Sequence, residues 1–348
     1  MVVLAAVLLP KRNALRDKKS AGFDAAFIDL LPNISSGLNL IAGDEPLPPL
    51  EPTDEYAFID VWNGTTAEMM PLEEYITFVT AAEMPASYSL EALKAQAVAA
   101  RTFALKHMKG EVRCKSGHTI CTNSACCQAF LSETALHERW GADFDKYFSK
   151  VKSAVEATEG LVLTSNGEIV TALYHSSSGG RTEDCEAVFN VALPYLVSVE
   201  SEGEENAPQF RSVKTFTKAE FVDAINAAFP DAYMTDPQKD VNIWERTDSG
   251  RISLIRLGGT VRTGRQLRKA LKLKSTNAEF TITDDTVTIT CLGFGHGVGM
   301  SQCGANAMAQ RGADFAEILK HYYTGVDIER IATPKTLIKL LGAIDPEE

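Results

Sequence analysis

Positive charge is what this sequence is short of. Its 34 lysines and arginines are outnumbered by 46 acidic residues, giving a formal net charge of −12 at pH 7 and a pI near 5.1. General nucleic-acid binding needs a basic face, so nucleic acid is excluded as a partner. There is no P-loop, and Gly293, Gly295, Gly297 and Gly299 alternate with single residues, the wrong spacing for a dinucleotide fingerprint. No H-E-x-x-H pair, tandem repeat or long low-complexity tract is present. A long hydrophobic run is missing as well. Val2 to Leu9 is apolar, but a bilayer takes roughly 20 such residues. Lys11, Arg12, Arg16, Lys18 and Lys19 follow that run, whereas a secretory signal carries its basic residues in front. We read the segment as the truncated end of a membrane anchor. An acidic, proline-rich stretch, Asp44 to Pro52, then serves as linker, so residues 1–54 are expected to be anchor and linker.

What is present points to a mixed, enclosed fold. At 348 residues and 45% hydrophobic, the chain can bury a substantial core, in two domains or one elaborate one. Tyr56 to Trp62 has strand propensity and ends at the turn signal Asn63-Gly64. Pro71 opens a helix carrying Leu72, Tyr75, Ile76 and Val79. Pro85 disfavours helical geometry at Met84, so that helix is predicted to stop near Glu83. Ser89 follows as an N-cap with Glu91 in the first turn. Leu93, Ala97, Ala100 and Ala104 then mark an alanine-rich helix that other backbones can approach closely. A helical region over 132–159 precedes a hairpin, Leu161 to Thr164 and Ile169 to Tyr174, around Ser165-Asn166-Gly167.

Beyond Asn206 the pattern predicts strands at Ile252 to Leu257, Glu279 to Thr283 and Val287 to Cys291, with helices over 218–229 and 265–273. A last helix is predicted from Ala305 to Tyr323. Without regular βα alternation the class is α+β: a helical catalytic core packed with antiparallel β-hairpins and a strand-rich insertion. The expected divisions are 55–204 for the core, 205–290 for the insertion or second lobe, and 291–348 for a glycine-rich loop and C-terminal helix that complete the core.

Four constellations can carry chemistry. Glu83 stands at a helix boundary beside packed alanines, where partial desolvation raises a carboxyl pKa; Arg101 lies near the edge of that alanine stripe. Such an arginine either orients a ligand or closes an internal salt bridge. Tyr174-His175-Ser176-Ser177-Ser178-Gly179-Gly180, with Thr182 beyond, offers several hydroxyls to a polar substrate, or is a solvated turn. Gly293 to Gln302 sets four glycines around His296 and ends in Ser301-Gln302, so its backbone can come very close to another surface. We expect it beside the Glu83–Pro85 turn, opposite Tyr174 to Gly180. Finally, Cys114, His118, Cys121, Cys126 and Cys127 crowd into fourteen residues. Zinc ligation explains the cluster, and a disulfide such as Cys121–Cys127 is the alternative.

Taken together, Leu72-Glu73-Glu74-Tyr75, Glu83-Met84-Pro85, LEALKAQAVAARTFAL, Cys127-Gln128-Ala129-Phe130, HSSSGGRTE and GFGHGVGMSQCGANAMA make the chain resemble the stage II sporulation protein D family, the peptidoglycan lytic transglycosylases of spore-forming bacteria. The resemblance covers nearly everything from Tyr56 onward. It implies that Glu83, in the E-M-P motif, is the catalytic acid/base. It also implies zinc, which some members bind through one histidine and two cysteines. Cys121 and Cys127 match the cysteines, and His118 is the nearest histidine, with Cys114 or Cys126 as substitutes. Cys126 and Cys303 stand where the family often has His and Tyr.

The implied reaction cleaves the MurNAc–GlcNAc bond and leaves 1,6-anhydro-MurNAc ends. The muramic C6 hydroxyl is the nucleophile, so a single carboxyl suffices where other glycosidases use two. Tyr174, Ser176, Ser177, Ser178 and His296 are expected to stabilise charge on the sugar, Arg101 and Gln128 to orient or bind, and Thr182, Ser301 and Gln302 to support. A zinc close to Glu83 would oppose a raised pKa, so the metal is expected to be structural or substrate-positioning. Two rivals remain: a zinc-dependent cell-wall amidase and a non-catalytic peptidoglycan-binding scaffold of an amidase. The implied partners are glycan strands, a cell-wall amidase and a membrane protein of the engulfment machinery. The implied location is extracytoplasmic, at the cell envelope.

Overall fold

The computed structural model describes residues 58–331. The expected anchor, linker and start of the first strand lie outside these residues, as does the C-terminal stretch beyond 331. No helix among the described residues is long and apolar enough to cross a membrane.

β1 (Phe58–Trp62) buries Ile59 and Val61 on one face and turns at Asn63-Gly64 into β2 (Ala67–Pro71), an antiparallel partner the sequence reading did not foresee. The Asn63 side chain accepts from the Thr65 and Thr66 N–H groups and holds the turn. α1 (Leu72–Glu83) starts after Pro71 and ends as expected, because Met84, preceding Pro85, is extended at φ −118° and ψ 138°. α2 (Leu90–Met108) begins after Ser89, but the Ser89 side chain caps nothing; its backbone N–H is instead taken by Asn306 Oδ1 at 2.8 Å. Ala92, Ala95, Ala97, Ala99, Ala100 and Ala104 are fully buried, so α2 is covered on every side.

β3 (Ile120–Cys121) lies parallel to β1. The helical region over 132–159 is two helices, α3 (Glu133–Trp140) and α4 (Phe144–Ala157), broken by a 3₁₀ turn at Gly141, whose φ of +50° no continuous helix accommodates. β4 (Leu161–Ser165) and β5 (Glu168–Ile169) form the expected hairpin through left-handed Asn166 and Gly167. The second strand is shorter than predicted. After Ile169 the chain leaves, and β6 (Tyr174–His175) pairs with a distant segment. α5 (Cys185–Phe189) follows.

A second core occupies the insertion. β7 (Arg211–Thr217), α6 (Lys218–Ala228), α7 (Pro237–Asp240), β8 (Val241–Arg246), β9 (Ile252–Leu257), β10 (Thr260–Thr263), α8 (Gly264–Leu271), β11 (Ala278–Ile282) and β12 (Thr286–Leu292) build two antiparallel sheets, ordered β10-β9-β8 and β11-β12-β7, around Phe221, Ile225, Leu267 and Ile289. Capping boxes Thr217/Glu220 and Thr263/Gln266 start α6 and α8.

The chain then returns to the first core through β13 (Met300–Ser301), α9 (Gln302–Gln310), α10 (Phe315–Tyr322) and β14 (Asp327–Arg330). The last helix is therefore two, separated at Gly312, with Asp314 and Glu317 capping the second. β14 fills the free edge of β4. α1, α4, α9, α10 and β4 all pack on α2. The fold is α+β, with α2 at its centre.

Candidate active site

Glu83 is the last residue of α1, half-buried where the helix meets the extended Met84. Its Oε1 accepts the Ala129 N–H at 2.6 Å, and the Tyr174 hydroxyl and the Gln302 side chain also bond it. Burial raises its pKa above the ordinary carboxyl value. The three donors favour the ionised form and offset only part of that rise.

The surroundings are amides and phenols. The Tyr174 hydroxyl donates to Gln128 Oε1 at 2.6 Å, and Gln128 Nε2 donates to the Tyr75 hydroxyl at 3.3 Å and the Ala100 carbonyl at 3.4 Å. Burial raises both phenols well above their ordinary value, so both stay protonated. Gln302 Nε2 donates to Gln96 Oε1 at 3.2 Å. No second carboxylate and no cation is among these hydrogen-bond partners.

Two distant segments meet to make this arrangement. β6 and β13 run parallel, pairing Tyr174 with Met300 and His175 with Ser301. Gly299 permits it: at φ +72° a Cβ there would lie 2.0 Å from the Leu173 carbonyl oxygen. Ser301 then caps α9 by accepting the Gly304 N–H at 3.2 Å, which places Gln302 at the first helical position.

The serine loop does something other than expected. Ser177 Oγ (2.5 Å), Ser178 N–H (2.8 Å), Ser178 Oγ (2.6 Å), Gly179 N–H (3.2 Å) and Ser201 Oγ all donate to the carboxylate of Glu204, which is wholly buried. These hydroxyls are spent on an internal anion, so Ser177 and Ser178 are a correction to the reading that they face substrate. Half-buried Ser176 takes the Cys303 N–H on its carbonyl at 3.0 Å, and buried Thr182 accepts the Val199 N–H at 2.8 Å. Both brace the loop. Sequence reading missed Glu204 because all its partners but Ser201 lie some 26 residues away.

The glycine-rich loop packs directly on the serine loop rather than across from it: Ser177 and Phe294 exchange backbone bonds at 3.0 and 2.7 Å. His296 sits against His175 and Phe189, with ring centroids 5.6 and 5.7 Å away, and its Nδ1 accepts the Val298 N–H at 3.1 Å. Its ring also meets the Tyr174 backbone. Burial, with His175 and two arginines nearby, holds it neutral. His296 thus stands behind Tyr174 and supports the strand from which the hydroxyl projects.

Arg101 is a second correction. It is fully buried; its Nε and Nη2 grip Glu73 at 2.8 and 2.5 Å, and its Nη1 donates to the Leu161 carbonyl at 3.0 Å. Glu73 is in the first turn of α1, ten residues and so about 15 Å along the helix from Glu83. Arg101→Met should therefore cost about 3 kcal/mol in urea denaturation, as removal of one partner from a buried pair does. Turnover per folded molecule should hold, and a stable variant with impaired turnover would return Arg101 to the site.

The cysteines converge. The Sγ atoms of Cys114, Cys121, Cys126 and Cys127 lie within 4.8 Å of one another, with Cys121–Cys127 at 3.6 Å and both Cys114–Cys126 and Cys126–Cys127 at 3.8 Å. A disulfide would need about 2.05 Å, so these are free thiols. A tetrahedron of sulfurs about 2.3 Å from a zinc has edges of about 3.8 Å, which the donor set fits. His118 is outside the cluster. It bonds Asp60 Oδ2 at 3.0 Å and stacks on Trp62, with centroids 4.7 Å apart. The histidine beside the sulfurs is His107, with Nε2 3.9 Å from Cys127 Sγ. One residue step links this cluster to the carboxyl, because Gln128 and Ala129 follow Cys127 directly.

A family model described as "Stage II sporulation protein" matches residues 63–165. The chain is similar to "Stage II sporulation protein D" of Bacillus subtilis (strain 168), 37% identical over 265 residues that cover 76% of each protein. It is similarly related to the protein of that name in Bacillus amyloliquefaciens, 37% identical over 76% of this chain and 75% of that one. A more distant likeness, 29% over 71% of this chain and 39% of the relative, is to the "Amidase enhancer" of Bacillus subtilis (strain 168).

Proposed function

This chain belongs to the stage II sporulation protein D family, and from that premise we propose that it is a lytic transglycosylase of peptidoglycan, cleaving the MurNAc–GlcNAc bond to leave 1,6-anhydro-MurNAc ends. The observation that carries this reading is the lone carboxyl: Glu83, desolvated and raised in pKa, with amide and phenol hydrogen-bond partners and no second carboxylate among them. Glu83 protonates the leaving glycosidic oxygen as that bond breaks. The resulting carboxylate takes the proton of the muramic C6 hydroxyl while C6–O attacks the anomeric carbon and closes the anhydro ring. The nucleophile is already tethered to the sugar, so no second carboxyl is needed to activate water. Donors at Ala129, Tyr174 and Gln302 stabilise the carboxylate that forms.

We further propose one zinc on Cys114, Cys121, Cys126 and Cys127. Four thiolates leave no open coordination position, so such a zinc is structural, holding the arm that delivers Gln128 and the Ala129 N–H. That also weighs against the amidase reading, which needs an open position for water. The likeness to an amidase enhancer favours one alternative, a scaffold that binds glycan and stimulates a cell-wall amidase, and it supports an amidase as partner. Digestion of glycan strands, with and without stem peptides, followed by mass spectrometry separates these readings. Anhydro ends are expected; released stem peptides would support the hydrolase, and intact strands the scaffold.

A further inference from the structure

Gln96 is wholly buried in the middle of α2, and its Nε2 has no hydrogen-bond partner. A buried donor left unmet is costly, and the mechanism above gives it no role. Its direction is set. Gln302 donates to Gln96 Oε1 at 3.2 Å, so the amide's NH₂ end points the other way, and the group it faces is the Tyr174 hydroxyl.

A phenol has one hydrogen to give. At rest that hydrogen goes to Gln128 Oε1 at 2.6 Å, so toward a protonated Glu83 the Tyr174 oxygen can only accept. Once Glu83 has passed its proton to the glycosidic oxygen, the carboxylate only accepts, and the Tyr174 hydrogen turns to it. The Tyr174 lone pair that Glu83 had filled is then open, and the Gln96 N–H is the buried donor facing it.

We propose that Gln96 is a positioning residue for the proton-transfer step, bonding the Tyr174 oxygen only after Glu83 has released its proton and so freeing Tyr174 to serve the carboxylate. This inference rests on the transglycosylase reading. A bond made only as the reaction proceeds raises kcat without tightening substrate binding.

The test is steady-state release of anhydro ends from isolated glycan strands by the wild type, Gln96→Met, Tyr174→Phe and the double variant. Methionine keeps the length of glutamine and removes the donor together with the Oε1 that accepts from Gln302; a loss that came through Gln302 would persist in the Tyr174→Phe background. Gln96→Met should lower kcat roughly tenfold, the worth of one hydrogen bond, with KM within about twofold. In the Tyr174→Phe background it should change nothing further. Gln96→Leu is measured alongside and carries the same expectation should Gln96→Met not fold. Unchanged kcat, a raised KM alone, or an equal loss on top of Tyr174→Phe overturns the proposal in an enzyme that is otherwise active. A wild type that forms no anhydro ends overturns the transglycosylase reading itself and this inference with it.

Discussion

Glu83→Gln leaves a folded protein whose release of anhydro ends is roughly 10²- to 10⁴-fold slower, the contribution a general acid/base makes. Glutamine preserves the shape and accepts the Ala129 N–H as the carboxyl does, but it has no proton to give and take back. Stability moves the other way. Burial sets the folded pKa of Glu83 above its unfolded value, so its contribution is present below the unfolded pKa and is lost as pH rises through the folded one. Glutamine suffers no such loss. The melting temperature of Glu83→Gln should match the wild type in acid and exceed it near neutral pH. Near wild-type turnover would end the mechanism, and a variant less stable than wild type at neutral pH would mean that Glu83 is an ionised structural carboxylate.

Cys121→Ser has the other large effect. Protein purified without added metal should carry about one zinc per chain by elemental analysis, and this variant should carry almost none. Structural zinc in small modules contributes on the order of 10 kcal/mol of folding free energy, so the segment from Cys114 to Cys127 should become protease-sensitive. Anhydro product should fall with it, since Gln128 and Ala129 lose their support. His118→Ala should keep its zinc, because that ring is committed to Asp60 and Trp62. Zinc lost from His118→Ala would restore the histidine to the ligand set. Absence of metal together with a mapped Cys121–Cys127 disulfide would replace the metal reading altogether.

Local chemistry by itself determined a good deal. Pro85 stops α1 at Glu83, Asn166-Gly167 makes a hairpin turn, and the alanines of α2 require an enclosed helix, because each follows from the conformational limits of a few adjacent residues. Singling out Glu83 as the candidate acid/base needed no more than this and the ordered motifs around it. The roles of the polar residues were decided elsewhere. A serine hydroxyl reads the same whether it meets a sugar or a buried carboxylate, and only the fold brings Glu204 to Ser177 and Ser178. Arg101 finds Glu73 rather than Glu83 because the fold sets its guanidinium against the first turn of α1, and Glu83 ends that helix. That Cys114 and Cys126, and not His118, meet Cys121 and Cys127 depends on where β3 lies beside β1, and the ring around Glu83 depends on β6 meeting β13 across more than a hundred residues. Sequence determines what each side chain can donate or accept. Which partner satisfies it is a matter of long-range packing, since the cost of an unmet buried polar group is levied only once the core has closed.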